Sequence, residues 1–261
     1  SALLLAGLFA RGETVVSEPA LSRDHTEKML KAFGAKIETH GLSSAVRSGS
    51  LQAQPVLVPG DISSAAFYLA AGAIIPGSRV TVTSVGLNPT RTGLLDVLLE
   101  MGAKISISNT SESAGELMGD VTVESQGLKG ISIGGSLIPR LIDEIPILAV
   151  VAAAAVGKTT IKDASELKVK ESNRLQAVAK ELTRFGVKIQ ETSDGLIIVG
   201  GIGFTGAICD SYHDHRIAMA CALMGLIASG TTLVRDAECI DISFPGFQEI
   251  LTGVSSQVFP G

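Results

Sequence analysis

Residues 168–182, KVKESNRLQAVAKEL, set Lys168, Lys170 and Arg174 around Glu171 at the start of an amphipathic segment. The first turn of a helix has unpaired N–H groups and a partial positive charge, so it favours carboxylates and disfavours cations. Read as one helix, the segment brings Lys170, Glu171 and Arg174 to the edge of the apolar stripe Leu175, Val178, Leu182 and Phe185. A solvated cap with an i,i+3 Glu171–Arg174 pair is the plain explanation. The overlap with the buried side favours a second one, in which these cations await an anionic ligand.

Other stretches carry the same signature. LIDEIPILAV places Asp143 and Glu144 just ahead of a fully apolar segment, with Pro146 near its first turn, a pattern that capping alone could explain. SYHDHRIAMA places Asp214, His215 and Arg216 ahead of another; Asp214 suits the cap, whereas Arg216 opposes the helix dipole. SRDHTEKM and NPTRTGLL are further polar helix starts containing a cation. If the apolar helices are central neighbours, their N-termini share one end of a domain. A carboxylate, a Glu–Lys–Arg cluster and an Arg then converge on one rim, a site for a phosphorylated or carboxylated substrate with acid–base equipment.

The elements that must position this rim repeat along the chain. ALLLAGLFARGETVV, AAFYLAAGAIIPGSRVTV, PILAVVAAAAVGKTTI and IAMACALMGLIASGTTLV each read as an apolar helix, a glycine (Gly12, Gly77, Gly157, Gly230) and a β-branched strand, with a period of roughly 65–80 residues. The first three are followed by a second helix, again closed by glycine (Gly34, Gly102, Gly186) and a strand, and the fourth by FQEILTGV. Glycine at each stop predicts a left-handed residue there. The helix that is apolar all round should be central and the amphipathic one peripheral. Pro55, Pro59 and Gly60 in QPVLVPGD mark a boundary, dividing the chain into 1–58, one unit, and 59–261, three units.

With 261 residues, 46% of them apolar, the chain can bury a large aliphatic core. A net charge of −5 argues against a general nucleic-acid or membrane-surface binder, so cationic function must be local. Cys209, Cys221 and Cys239 are odd in number and form no CxxC pair, which points to a reducing cytoplasm and no structural metal. The longest apolar run, IPILAVVAAAAVG, is too short to span a bilayer and reads as a buried helix. An uncapped apolar helix beginning directly after Ser1 suggests further chain upstream.

DEIPILAV, LKVKESNRL, YHDHRIAMA and FPGF, in that order, with SRDHTEKML and PGDISSAAFYLAAGA, resemble the EPSP synthase (3-phosphoshikimate 1-carboxyvinyltransferase) family along essentially the whole chain. The resemblance implies an α/β fold, an inside-out barrel of repeated β-α-β-α-β-β units, three to a domain, with the active site in the cleft between two domains. Four of the family's six units would be present, the C-terminal three-fifths of its chain. The implied reaction moves the enolpyruvyl group of phosphoenolpyruvate to the 5-hydroxyl of shikimate 3-phosphate with release of phosphate, without metal or cofactor. By position, Asp143 resembles the base at that hydroxyl and Glu171 the acid at the enolpyruvyl carbon. Lys170 and Ser22 resemble ligands of the shikimate phosphate, with Arg23 and His25 adjoining. Arg174 and Arg216 resemble the phosphoenolpyruvate clamp, next to His215. The N-terminal portion of the same enzyme is the implied partner. Ile242 departs from the family, many members of which carry Lys there. A UDP-N-acetylglucosamine enolpyruvyl transferase, or a folded non-catalytic fragment, are the competing readings.

Overall fold

Three apolar helices each join two chain segments that run parallel, and that connection fixes where the helix N-terminus points. The computed structural model describes residues 1–201 and 203–256, the side chains of 254–256 excepted; the tail of the 59–261 block lies outside the described residues. The chain opens with α1 (Ala2–Gly7), β1 (Glu13–Ser17), α2 (His25–Ala32), β2 (Ile37–His40) and β3 (Ser43–Arg47). Then follow α3 (Ile62–Ile74), β4 (Arg79–Gly86), α4 (Gly93–Met101), β5 (Lys104–Ser113), β6 (Glu116–Glu124), β7 (Ser132–Ile133), α5 (Ile145–Ala154) and β8 (Gly157–Ile161). The last stretch is α6 (Arg174–Arg184), β9 (Lys188–Glu191), β10 (Leu196–Gly200), β11 (Ile208–Asp210), α7 (His215–Ile227), β12 (Leu233–Arg235) and α8 (Phe247–Ser256).

The sheets β1-β3-β2 and β4-β6-β5 share one strand order, and β8-β10-β9 repeats it with β7 added at the edge. Within each, neighbours run antiparallel apart from the added edge, where β7 runs parallel to β8. β11 runs parallel to β12, and Gly60 bridges Val85 in the same sense. Helices α3, α5 and α7 are therefore crossovers between parallel neighbours, which need a connection of this length.

These three helices touch one another and are buried on nearly every side. Their Ala- and Gly-rich sequences lack a polar face, so only a central position satisfies them. The amphipathic α4 and α6 lie outside them, with their polar faces outward. One hydrophobic core runs from Ile62 to Phe247, and a separate small one gathers Leu4, Leu8, Leu30 and Val46. All the glycines expected at helix stops, Gly12, Gly34, Gly77, Gly102, Gly157, Gly186 and Gly230, have positive φ.

The segment read as one helix from residue 168 is not one. Ser165–Val169 forms a 3₁₀ turn, Lys170 is extended, and α6 begins only at Arg174. Asn173 sets that start by accepting from the Gln176 N–H at 3.3 Å. Lys170 and Glu171 thus precede the helix, and Lys168 leaves the cluster to donate to the Ser193 carbonyl at 2.7 Å.

Candidate active site

Asp143 lies in a 3₁₀ turn, Ile142–Glu144, that leads directly into α5. Its carboxylate meets Arg23 Nη2 at 2.7 Å, Arg174 Nη1 at 3.4 Å and Lys170 Nζ at 3.6 Å. Its backbone carbonyl accepts from Arg216 Nη1 at 2.9 Å. Burial alone would raise the Asp143 carboxyl, but Arg216, Arg23 and Lys170 outweigh it and hold the group below the ordinary carboxylate value. Four cationic residues from three separate stretches of sequence thus gather around Asp143.

Arg174 is the pivot. As the first residue of α6 it is buried, and its guanidinium reaches Asp214 (2.8 and 3.3 Å), Glu171 (2.6 Å) and Asp143. Asp214 also caps α7, accepting from the Arg216 N–H at 3.0 Å and from Ser172 Oγ at 2.9 Å. Burial pushes Asp214 up, but Arg174 and these hydrogen bonds more than reverse it. Glu171 keeps about half of its side chain in solvent, 51%, so one carboxylate of the rim is accessible while Asp143 is enclosed.

Glu144, next to Asp143, is not the cap that local sequence allows, and no side chain caps α5. It turns inward, where Ser63 donates to it and Arg216 and Arg91 lie at 3.4 and 3.7 Å. Burial raises its pKa despite these donors. Glu144, Ser63 and Arg91 are members of the site that sequence reasoning left out. NPTRTGLL did signal a cation at a helix start, but it held no clue that Arg91 would face a carboxylate much further along the chain.

Asp143, Glu171, Lys170, Arg174 and Arg216 therefore share one rim, with Arg23 reaching it from the loop between β1 and α2. Ser22 and His25 do not join their hydrogen bonds to it. Ser22 Oγ donates to Glu18 at 2.8 Å. His25 Nδ1 lies 2.7 Å from Glu116, in a cluster where Asn88 Nδ2 donates to Asp24 at 2.7 Å. A cavity of about 440 Å³ opens beside Ser22 and Arg23 along α2. His215 stands beside Arg216 at the α7 start; burial first, then the Arg216 charge, depress its pKa. Among the described residues no group of His, Cys, Asp or Glu is arranged to hold a metal, and no helix is long and apolar enough to cross a membrane.

Crossover helices whose N-termini carry acids and cations to one edge define an α/β fold of the enolpyruvyl-transferase kind. The enolpyruvyl transferase NikO from Streptomyces tendae superposes with a TM-score of 0.77 over 97% of this chain and 57% of its own, at 21% identity, a likeness of fold alone. The chain belongs to the EPSP synthase family, whose model (EPSP synthase, 3-phosphoshikimate 1-carboxyvinyltransferase) matches residues 1–251. An EPSP synthase from Acinetobacter baumannii superposes with a TM-score of 0.91 at 42% identity, over 96% of this chain and 58% of that one. The 3-phosphoshikimate 1-carboxyvinyltransferase of Desulforamulus reducens is 55% identical over 97% of this chain and 59% of its own length. That of Gloeobacter violaceus is 54% identical over 98% and 60%. The chain thus spans about three-fifths of the relatives it matches.

Proposed function

We propose that this chain supplies the acid–base rim for transfer of the enolpyruvyl group of phosphoenolpyruvate to the 5-hydroxyl of shikimate 3-phosphate, with release of phosphate. The observation that carries the reading is Asp143, an enclosed carboxylate ringed by Arg23, Lys170 and Arg174, beside the exposed Glu171. Addition of a hydroxyl across the enol double bond of phosphoenolpyruvate removes a proton from oxygen and delivers one to carbon, and two carboxylates in different environments divide those tasks. Asp143 takes the hydroxyl proton. Glu171 protonates the enolpyruvyl carbon, then removes a proton from it as phosphate leaves.

The cations have two jobs. Lys170, with Ser22, Arg23 and His25, holds the shikimate phosphate; Arg174 and Arg216 hold phosphoenolpyruvate, with His215 at the same helix start. When a phosphate draws Lys170 and Arg23 away from Asp143, the interactions that depress its pKa weaken and it becomes a better base. Substrate binding thereby activates the base. Ile242 supplies no cation at a position where many members of the family have one, so the phosphate of phosphoenolpyruvate relies on the arginines.

Residues 1–58 serve as the last unit of one domain and 59–261 as the three-unit second domain, four units of the family's six. Support comes from the separate core of Leu4, Leu8, Leu30 and Val46 and from the repeated strand order. The N-terminal portion of the same enzyme is the partner that completes the cleft. Buried, unpaired Cys209, Cys221 and Cys239 suit a reducing cytoplasm. The relatives favour this reading over a UDP-N-acetylglucosamine enolpyruvyl transferase. Titration calorimetry of the chain with shikimate 3-phosphate, with and without an N-terminal piece, tests it. Heat that grows when the piece is present supports the reading, and no heat in either case refutes it.

A further inference from the structure

Residues 210–214 lead from β11 into α7, and their backbone is held in a conformation that side chains rarely adopt. Tyr212 and His213 are consecutive left-handed residues, each with φ 55°, and Asp236, whose carbonyl Ser211 reaches, has φ 51°. Non-glycine residues persist there only when their surroundings over-determine them. Part of that determination is local: Tyr212 N–H donates to Asp210 Oδ1 at 2.9 Å and His213 N–H to Ser211 Oγ at 3.1 Å.

The anchorage comes from α6. Glu181, fully buried, accepts from the Asp210 N–H at 3.1 Å and from the Tyr212 hydroxyl at 2.6 Å, and pairs with Arg184 at 2.9 Å. Lys180 sits over the Tyr212 ring, 5.5 Å from its centre. At the other end of the loop, Asp214 receives Arg174 Nε–H at 2.8 Å. Arg174 and Glu181 are two turns apart on one face of α6, so this helix grips the loop at both ends. If filling space were all that mattered, an apolar side chain would do it without burying a charge.

We propose that Glu181 and Tyr212 are positioning residues for the rim: by fixing residues 210–214 against α6 they set where Asp214 meets Arg174, and hence where the Arg174 guanidinium stands relative to Asp143 and Glu171. The catalytic consequence rests on the reading under Proposed function; the geometry of the clamp does not.

The test follows the Arg174 Nε–H by NMR in the 261-residue chain labelled with ¹⁵N-arginine, its resonance assigned by loss in Arg174→Lys. Glu181→Gln and Tyr212→Phe are expected to speed its hydrogen exchange about tenfold or more. Arg184→Ala, which removes the half-exposed partner of Glu181 and a 3.3 Å bond to the Ile208 carbonyl but keeps both Glu181 contacts to Asp210 and Tyr212, leaves it slow. If Glu181→Gln fails to fold, Tyr212→Phe, which loses a single oxygen, decides alone. Unchanged exchange in Tyr212→Phe overturns the clamp. In the enzyme completed with its N-terminal portion, Tyr212→Phe should lower kcat with little change in KM for shikimate 3-phosphate. Fast Arg174 exchange with unaltered kcat overturns the positioning role. Absence of turnover in the completed wild type counts against the proposed function alone, and the exchange rates still decide the clamp.

Discussion

Arg174 Nε and Asp214 Oδ2 meet at 2.8 Å with 1% and 0% of their side chains exposed. This pair joins the start of α6 to the start of α7, and each partner also faces the rim. Removing one member of a buried ion pair strands the other charge, at a cost of about 3–5 kcal/mol. Asp214→Asn keeps a side chain able to cap α7 and isolates the loss of charge. Urea unfolding of that variant should show a destabilisation of about 3 kcal/mol, and Asp214→Ala about 1 kcal/mol more for the cap. A loss below about 1 kcal/mol in Asp214→Asn would mean that Arg174 finds another partner.

Acid should weaken the fold in two stages. His215 is depressed by burial and by Arg216, so its contribution is full above 6.5, its ordinary value, and is lost as pH falls towards the depressed one. Asp143 and Asp214 are also depressed; their stabilisation is full above 3.8 and is lost as pH falls through their folded values. Glu144 has the opposite sign. Raised above 4.5 by burial, it contributes fully below that value and loses its contribution as pH rises through its folded pKa. Urea midpoints measured against pH should therefore drop first below 6.5 and again below 3.8, with Glu144 offsetting part of the loss between. His215→Gln should remove the first drop and keep the second. A midpoint flat from neutral pH down to 5 in the wild type would contradict the depressed His215.

Much of this arrangement was legible in the residues, and the limits have physical causes. Apolar periodicity picked out α3, α5 and α7 as central because a helix without a polar face has only one stable place. Helix-stop glycines were readable for a similar reason, since each sits where a Cβ is penalised. The start of α6 was misread because Lys170 and Glu171 fit the helical wheel, while the Asn173 cap that excludes them is a single local hydrogen bond. The His25–Glu116 contact had no sequence signal at all. It depends on the β5–β6 hairpin, whose two-residue turn places Ala114 at φ 49° and Gly115 at φ 82° and lays Gly115 against the Lys28 carbonyl. Pairings between distant units are set by three-dimensional docking, so Arg91–Glu144 and Arg23–Asp143 were hidden for the same reason.

In the enzyme completed with its N-terminal portion, Asp143→Ala and Glu171→Gln should each lower turnover about 10²–10⁴-fold, the usual contribution of a general acid or base. Affinity for shikimate 3-phosphate should change far less. Arg216→Ala should instead weaken phosphoenolpyruvate binding strongly. Steady-state kinetics with both substrates varied separates these effects. Near-wild-type turnover in either carboxylate variant would remove it from the acid–base pair.

Two glycines in successive units make the same close approach. A Cβ on Gly130 would lie 2.4 Å from the Lys158 carbonyl oxygen, and one on Gly206 the same distance from that of Thr231. Both follow parallel bridges, Lys129 with Val156 and Thr205 with Ser229, so the strand before each crossover helix is pressed against the strand after it. Gly130→Ala and Gly206→Ala must displace backbone, and each should cost at least about 2 kcal/mol in urea unfolding, within the range for steric strain in a packed interior. Gly49→Ala, where a Cβ meets open space, is the neutral control. Equal stability of all three variants would show that the strand pairs can separate without penalty.

Helix α1 leaves much of its apolar surface bare. Leu4 and Gly7 are buried on one of its faces, while Leu3 and Leu5 are exposed and Phe9, just beyond it, is 90% exposed. Helices α3, α5 and α7, which belong to the same repeat pattern, bury nearly all of their apolar residues against one another. Covering a Leu- or Phe-sized side chain is worth about 1.5–3 kcal/mol, so α1 gains substantially from two sister helices packed as α3, α5 and α7 are. An N-terminal portion bringing such helices should bind this chain and complete the cleft at the same time. The chain alone should release no phosphate from shikimate 3-phosphate and phosphoenolpyruvate, and the mixture should release it. Leu3→Lys and Phe9→Lys, placed on the bare surface, should weaken assembly in analytical ultracentrifugation and lower activity in parallel, with activity returning at higher fragment concentration. Full activity of this chain alone would refute its dependence on a partner. Assembly that withstands both lysines would move the contact away from α1.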